Sequence, residues 1–136
     1  MLIPAIYFRG GTCADAIKFY QQVFNATVLE IAYANEAPPD SEIGKESTEE
    51  TRNHVMHSEL IISGTRVNMA DVGDNIVSGN MFLFNIFLDS ADEIRSIFNQ
   101  LSGGGQVRTE LGEHFWSPLY GEVVDKFGVE WHLILN

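Results

Sequence analysis

Val55-Met56-His57-Ser58-Glu59-Leu60-Ile61-Ile62-Ser63-Gly64-Thr65-Arg66-Val67-Asn68-Met69-Ala70-Asp71 reads as two strands around a two-residue turn. Ser63-Gly64 makes the turn, because a tight hairpin needs residues that tolerate positive φ. With Ile62 facing Thr65, Glu59 faces Asn68 and His57 faces Ala70. Strand side chains alternate between two faces. His57, Glu59, Arg66 and Asn68 therefore share one face, and Met56, Leu60, Ile62, Val67 and Met69 share the other. One face belongs to a core; the other is polar.

Upstream, Leu2 to Phe8 predicts a strand ending at Arg9-Gly10-Gly11, and Thr12-Cys13-Ala14-Asp15 has the form of a capped helix start. Ile17, Tyr20, Val23 and Phe24 then fall on one helical face. Thr27 to Tyr33, rich in β-branched and aromatic residues, predicts a second strand. Residues 35–53 hold Pro38-Pro39 and the acids Glu36, Asp40, Glu42, Glu46, Glu49 and Glu50. They read as a long acidic surface loop with a short helical turn, or as a lid over a pocket.

After a linker at Val72 to Asn80 the order repeats: strand Met81 to Leu88, helix Ala91 to Leu101, strand Val107 to Leu111, and a hairpin from Tyr120 to Val124 with Val129 to Leu135. Ala14, Asp15, Ile17, Tyr20 and Phe24 correspond at a constant offset to Ala91, Asp92, Ile94, Ile97 and Leu101. The expected fold is α+β: one domain over 1–136 built of two βαβββ modules, about 1–72 and about 80–136. In each, one helix covers the apolar sheet face. In the last strand Val129, Trp131, Leu133 and Leu135 point to the core, while Glu130, His132 and Ile134 point away. Two such sheets, paired and curved, can enclose a cleft between their polar faces. Tyr7, Arg9, His57, Glu59, Asn68, Asn85, Glu130 and His132 are candidates for that inner surface.

Composition narrows the function classes. Eight Lys plus Arg against nineteen Asp plus Glu give a net charge of −11, which repels phosphate backbones and anionic membranes. Nucleic acid and membrane are not expected partners. One cysteine, Cys13, forms no internal disulfide and fits a reducing, cytoplasmic setting, with the residue itself read as structural. No phosphate-binding loop, nucleophile elbow or zinc-knuckle spacing is present.

Three segments carry a resemblance: Phe19-Tyr20-Gln21-Gln22-Val23-Phe24, His57-Ser58-Glu59-Leu60, and Phe115-Trp116 followed by Tyr120-Gly121-Glu122-Val123-Val124-Asp125-Lys126-Phe127-Gly128-Val129-Glu130-Trp131. Together they resemble the PhnB-like branch of the vicinal oxygen chelate superfamily, which groups glyoxalases, bleomycin-resistance proteins and extradiol dioxygenases. The resemblance implies paired βαβββ modules around a cleft, a homodimer, and a small-molecule ligand. Its enzymes hold a divalent metal with His, Glu or Gln from the first and last strands of both modules. By the shared landmarks those positions fall at Ala5, Asn68, Leu83 and His132, of which only His132 is a good ligand. The leading expectation is therefore a binder of a small organic molecule without the usual metal site. The alternative is a divalent-metal-dependent isomerase, lyase or dioxygenase with a displaced site of His57, Glu59 and His132.

The expected ligand-binding set is Tyr7, Arg9, His57, Glu59, Asn68, Asn85, Trp116 and His132, with no catalytic residue assigned. Trp116, with Phe115 and Tyr120, either walls a flat ligand or packs. Arg9 and Arg66 are expected to pair with carboxylates more than with a ligand anion and Glu130 to lie at a rim or in solvent, while His54 and His114, in loop-like contexts, carry little signal.

Overall fold

A computed structural model describes all 136 residues. The chain divides into two compact units, Met1–Val77 and Ser78–Asn136. The first runs β1 (Ala5–Arg9), α1 (Cys13–Phe24), β2 (Thr27–Tyr33), a 3-10 turn (Ala34–Glu36), α2 (Glu42–Glu46), β3 (Val55–Ile62) and β4 (Thr65–Val72). The second runs β5 (Phe84–Leu88), α3 (Ala91–Ser102), β6 (Gln106–His114), β7 (Ser117–Val124) and β8 (Glu130–Leu135). Each unit is a four-stranded sheet, β1-β4-β3-β2 and β5-β8-β7-β6, with β1 parallel to β4 and β5 parallel to β8. This is the α+β, twice-repeated βαβββ architecture of the vicinal oxygen chelate fold. No helix is long and apolar enough to cross a membrane.

The helices form because their apolar residues recur on one face. Cys13, Ala16, Ile17, Tyr20 and Val23 are the buried stripe of α1, and Ile94, Ile97, Phe98 and Leu101 that of α3. Asn25, in the left-handed conformation at φ 54°, ends α1. The β3–β4 hairpin has the anticipated register, with Glu59 opposite Asn68 and Ile62 opposite Thr65. Ser63 and Gly64 both take positive φ, 48° and 84°, the paired left-handed turn that suits strand twist. In β7, a Cβ on Gly121 would stand 2.8 Å from the rings and methyls of Phe98 and Leu111, so a hydrogen there lets α3 lie close on the sheet.

The structure amends three expectations. β1 starts at Ala5 and β5 at Phe84, because Leu2, Met81 and Phe82 are more than four-fifths exposed and find no core to enter. β7 starts earlier, at Ser117, whose hydroxyl donates to the Leu135 carbonyl of β8 at 2.7 Å. Thr12 does not cap α1 with its side chain; its hydroxyl donates to the Arg9 carbonyl instead. The helix N-terminus is met by Asp71 of β4, whose Oδ1 accepts from Cys13 N–H at 3.0 Å while Oδ2 accepts from Val55 N–H at 2.8 Å. Cys13 itself is buried, and burial, with Asp71 adding, pushes its thiol up to about 12. Thiolate chemistry is thereby disfavoured, in keeping with a structural cysteine.

Candidate functional site

Register places the polar groups. In the first unit a row crosses all four strands on the face turned from α1: Glu30 opposite Glu59, Glu59 opposite Asn68, and Asn68 beside Ala5. The second unit repeats it as Thr109, Glu122, His132 and Asn85. A bulge precedes the row in both, leaving Leu29 extra in β2 and Arg108 extra in β6. Two residues along, His57 and Arg66 stand beside the first row as Tyr120 and Glu130 stand beside the second.

In the second unit these groups form one network. Thr109 Oγ1 donates to Glu122 Oε1 at 2.5 Å, and the Tyr120 hydroxyl donates to Glu122 Oε2 at 2.7 Å. With its proton so committed, the Tyr120 oxygen is left to accept from His132 Nδ1 at 3.0 Å. His132 Nε2 faces Glu130 Oε2 at 2.8 Å and lies 3.7 Å from Glu122 Oε2. Arg108, the bulged residue, pairs through Nε with Glu130 Oε1 at 2.7 Å. Hydrogen bonds from Thr109 and then Tyr120 hold the Glu122 carboxyl below the usual range. Burial, joined by Glu122, drives the Tyr120 hydroxyl well above the ordinary phenol range, so it stays a donor. A carboxylate held low in the folded state adds stability above its ordinary pKa of 4.5, and that contribution is lost as pH falls through the lowered value. Glu122→Gln is expected to flatten the loss of stability below pH 4.5, read by urea midpoints across an acid series.

The first unit is more sparely bonded. His57 Nε2 lies 3.4 Å from Glu59 Oε1, and Arg66 pairs with that same oxygen. The hydrogen bond from Arg66, followed by that from His57, lowers the Glu59 carboxyl against the opposing effect of burial. Glu30 completes a cluster in which one ligating atom each from Glu30, His57 and Glu59 lies within 4.8 Å of the others. Asn68 Oδ1 is buried with no hydrogen-bond partner.

Of the remaining candidates, Tyr7 and Asn85 are exposed on β1 and β5. Arg9 does not pair with a carboxylate as expected: its guanidinium donates to the Asp74 and Ile76 carbonyls at 3.0 and 3.4 Å, pinning the chain after β4. Trp116 is half exposed and stands edge-on to Phe115 and Tyr120 at 4.8 and 5.2 Å between ring centroids. His114, given no role from sequence, lies 4.7 Å from the Trp116 ring centroid. Glu130 is no rim residue; it is 8% exposed and held between Arg108 and His132. The polar groups joined to these rows that the sequence alone does not single out are Glu30, Arg108, Thr109 and Glu122. Each depends on a bulge or a cross-strand pairing that single-strand alternation does not reveal.

The acidic segment is ordered around α2, where Ser41 Oγ accepts from Gly44 N–H at 3.1 Å. Its base is closed by backbone bonds from Ala34 to His54 and Asn35 to Arg52, both 2.9 Å. With the ends of β3 and β4 it walls a cavity of about 500 Å³ whose lining includes Ala34, Ile43, Ser47, His54, Met56 and Val72. The His54 ring rests against Gly10 and Gly11, close enough that a Cβ on either would come within 3.2 Å.

The parallel pairings also locate the metal positions that the resemblance implies. Ala5 pairs with Asn68 in β1–β4, and the matching pair in β5–β8 is Asn85 with His132. Leu83, counted from sequence landmarks, lies outside β5, so Asn85 holds that position. These four do not fit a metal. Ala5 has no donor, Asn85 is an exposed amide, and both His132 nitrogens are engaged by Tyr120 and Glu130.

Comparison with known proteins agrees with this architecture. The family profile described as Glyoxalase/Bleomycin resistance protein/Dioxygenase superfamily matches residues 3–133. Protein YjdN of Escherichia coli (strain K12) is 30% identical over 139 residues, covering 96% of this chain and 91% of that protein. Among solved structures, protein PA1353 from Pseudomonas aeruginosa superposes with a TM-score of 0.82 at 23% identity, over 100% of this chain and 97% of the other. The PhnB protein from Bacillus cereus gives 0.78 at 24% identity, over 99% and 98%.

Proposed function

Because the chain belongs to the glyoxalase/bleomycin resistance protein/dioxygenase superfamily, we propose that it binds a small organic molecule on the polar sheet faces without a metal at the paired-strand positions. The observation that supports this most is the closed network of His132, Tyr120, Glu122, Glu130, Thr109 and Arg108. Side chains on a merely solvated face do not lock one another into single orientations at such burial; a preorganised set of donors and acceptors beside aromatic rings is what a ligand site requires. Trp116 and Tyr120 supply flat apolar area, and the His132–Glu130 pair supplies polar contact at one edge. The ligand class that fits is an aromatic or otherwise planar molecule with one polar end.

Large apolar side chains left open, among them Val77, Met81, Phe82 and Phe115, each more than four-fifths exposed, support a homodimer as the binding form.

A thermal-shift screen of planar aromatic acids, phenols and amides tests the reading, with hits titrated by tryptophan fluorescence. A stabilising ligand should lose about tenfold or more in affinity with Trp116→Ala and with His132→Ala, and light scattering of the protein should give a mass near twice the 15.2 kDa chain. Ligands whose affinity neither substitution alters, or a monomeric mass, would count against it.

A further inference from the structure

We propose that Glu30, His57 and Glu59 form a divalent-cation site on the outward face of the first sheet, separate from the superfamily's paired-strand positions. It does not rest on the small-molecule reading.

The argument comes from the two equivalent rows. In the second unit Glu122 is satisfied by two hydroxyl donors, Thr109 across the strand and Tyr120 two residues back. In the first unit the same places around Glu59 are taken by Glu30 and His57. Glu30 cannot donate when ionised, so the first sheet sets two carboxylates directly opposite each other, a pairing that destabilises an antiparallel ladder unless something positive lies between them. Arg66 does not fill that role for both. It pairs with Glu59 Oε1, leaving Oε2 available, while Glu30 has no basic partner. The row then continues to Asn68, whose buried Oδ1 lacks any donor. An unpartnered carbonyl oxygen next to Glu59 in the row is a second, separate observation at this place, and Arg66 Nε on the same face is likewise buried without a partner.

The geometry needs little adjustment. Ligand atoms held about 2.0–2.2 Å from one ion lie at most about 4.4 Å apart. The 4.8 Å spread of the three groups exceeds that limit by about 0.4 Å. Arg66 on Oε1 would orient the Glu59 carboxylate from behind, the usual outer support for a metal ligand. One nitrogen and two carboxylate oxygens favour a borderline ion such as Zn²⁺, Ni²⁺ or Co²⁺ over Ca²⁺, and leave coordination positions open.

The test is Zn²⁺ titration of chelator-treated full-length protein by calorimetry, with Co²⁺ absorption spectra as a second readout. One ion per chain is expected. Glu30→Gln, an exposed and nearly isosteric change, should weaken binding about tenfold or more, and His57→Ala should do the same and shift the Co²⁺ spectrum. His132→Ala should leave it unchanged. The proposal is overturned if the wild-type protein shows no saturable binding, or if Glu30→Gln binds as wild type does. It is equally overturned if binding is lost with His132→Ala.

Discussion

Asp125→Ala should lower stability more than any other single polar substitution in this chain. Asp125 is 3% exposed and closes the turn between β7 and β8 with both oxygens. Oδ1 accepts from Phe127 N–H at 2.9 Å and Val129 N–H at 3.0 Å, and Oδ2 accepts from the Trp131 indole N–H at 2.9 Å. Removing the carboxylate strands all three donors, and the indole is in the core, where Trp131 is 2% exposed. Charge-assisted bonds of this kind and the desolvation of orphaned donors together put the loss at about 4 kcal/mol. Asp125→Asn keeps one accepting oxygen and should lose about half as much. Urea unfolding followed by tryptophan fluorescence measures both. A loss under about 1 kcal/mol for the alanine variant would show that water replaces the carboxylate and that the turn holds by itself.

Asp71→Ala is the second large effect, in the other unit and for a related reason. The buried Asp71 carboxylate ties the first amide of α1 to the first amide of β3, residues far apart in sequence. It also sets a negative charge at the positive end of the α1 dipole, where Thr12 makes no side-chain cap. Loss of both bonds should cost about 3 kcal/mol, and the melting temperature should fall by about 10 °C. The effect is local enough to be mapped. Amide hydrogen exchange at Cys13 and Val55 should accelerate before that of Leu133 or Ile94. Uniform acceleration across both units would mean that Asp71 acts through global stability alone.

The fold class stands close to the surface of the sequence because it depends on local period, and the family resemblance because three short motifs carry it. Alternation from Val55 to Asp71 yields the hairpin register, and the offset between the α1 and α3 apolar stripes yields the duplication. The later starts of β1 and β5 share one cause: Leu2, Met81 and Phe82 are apolar, but hydrophobicity is not burial, and all three are exposed. The Asp125-Lys126-Phe127-Gly128 motif is legible as a signature, and its physical reason appears only when the carboxylate is seen gripping the turn and Trp131. Site residues were half legible. His57, Glu59, Asn68 and His132 follow from alternation, but Glu30 and Thr109 reach their rows because a bulge moves each strand by one residue, and no residue type in β2 or β6 announces that shift. Asp71 as the cap of α1 lay beyond reach for another reason: it is a tertiary contact standing where a local Thr was expected.

The strand order also bears on how the chain is made. In both units the first strand joins the sheet only through the last, since β1 pairs with β4 and β5 with β8. During synthesis β2, β3 and β4 can assemble from neighbours in sequence, while β1 waits for a partner that emerges at the end of its unit. Closing that long loop costs entropy, so docking of the leading strand is expected to set the pace of folding for each half. Until then the rim of β4 stands open, and this is the interval in which the nascent chain is most exposed to pairing with a neighbour's strand.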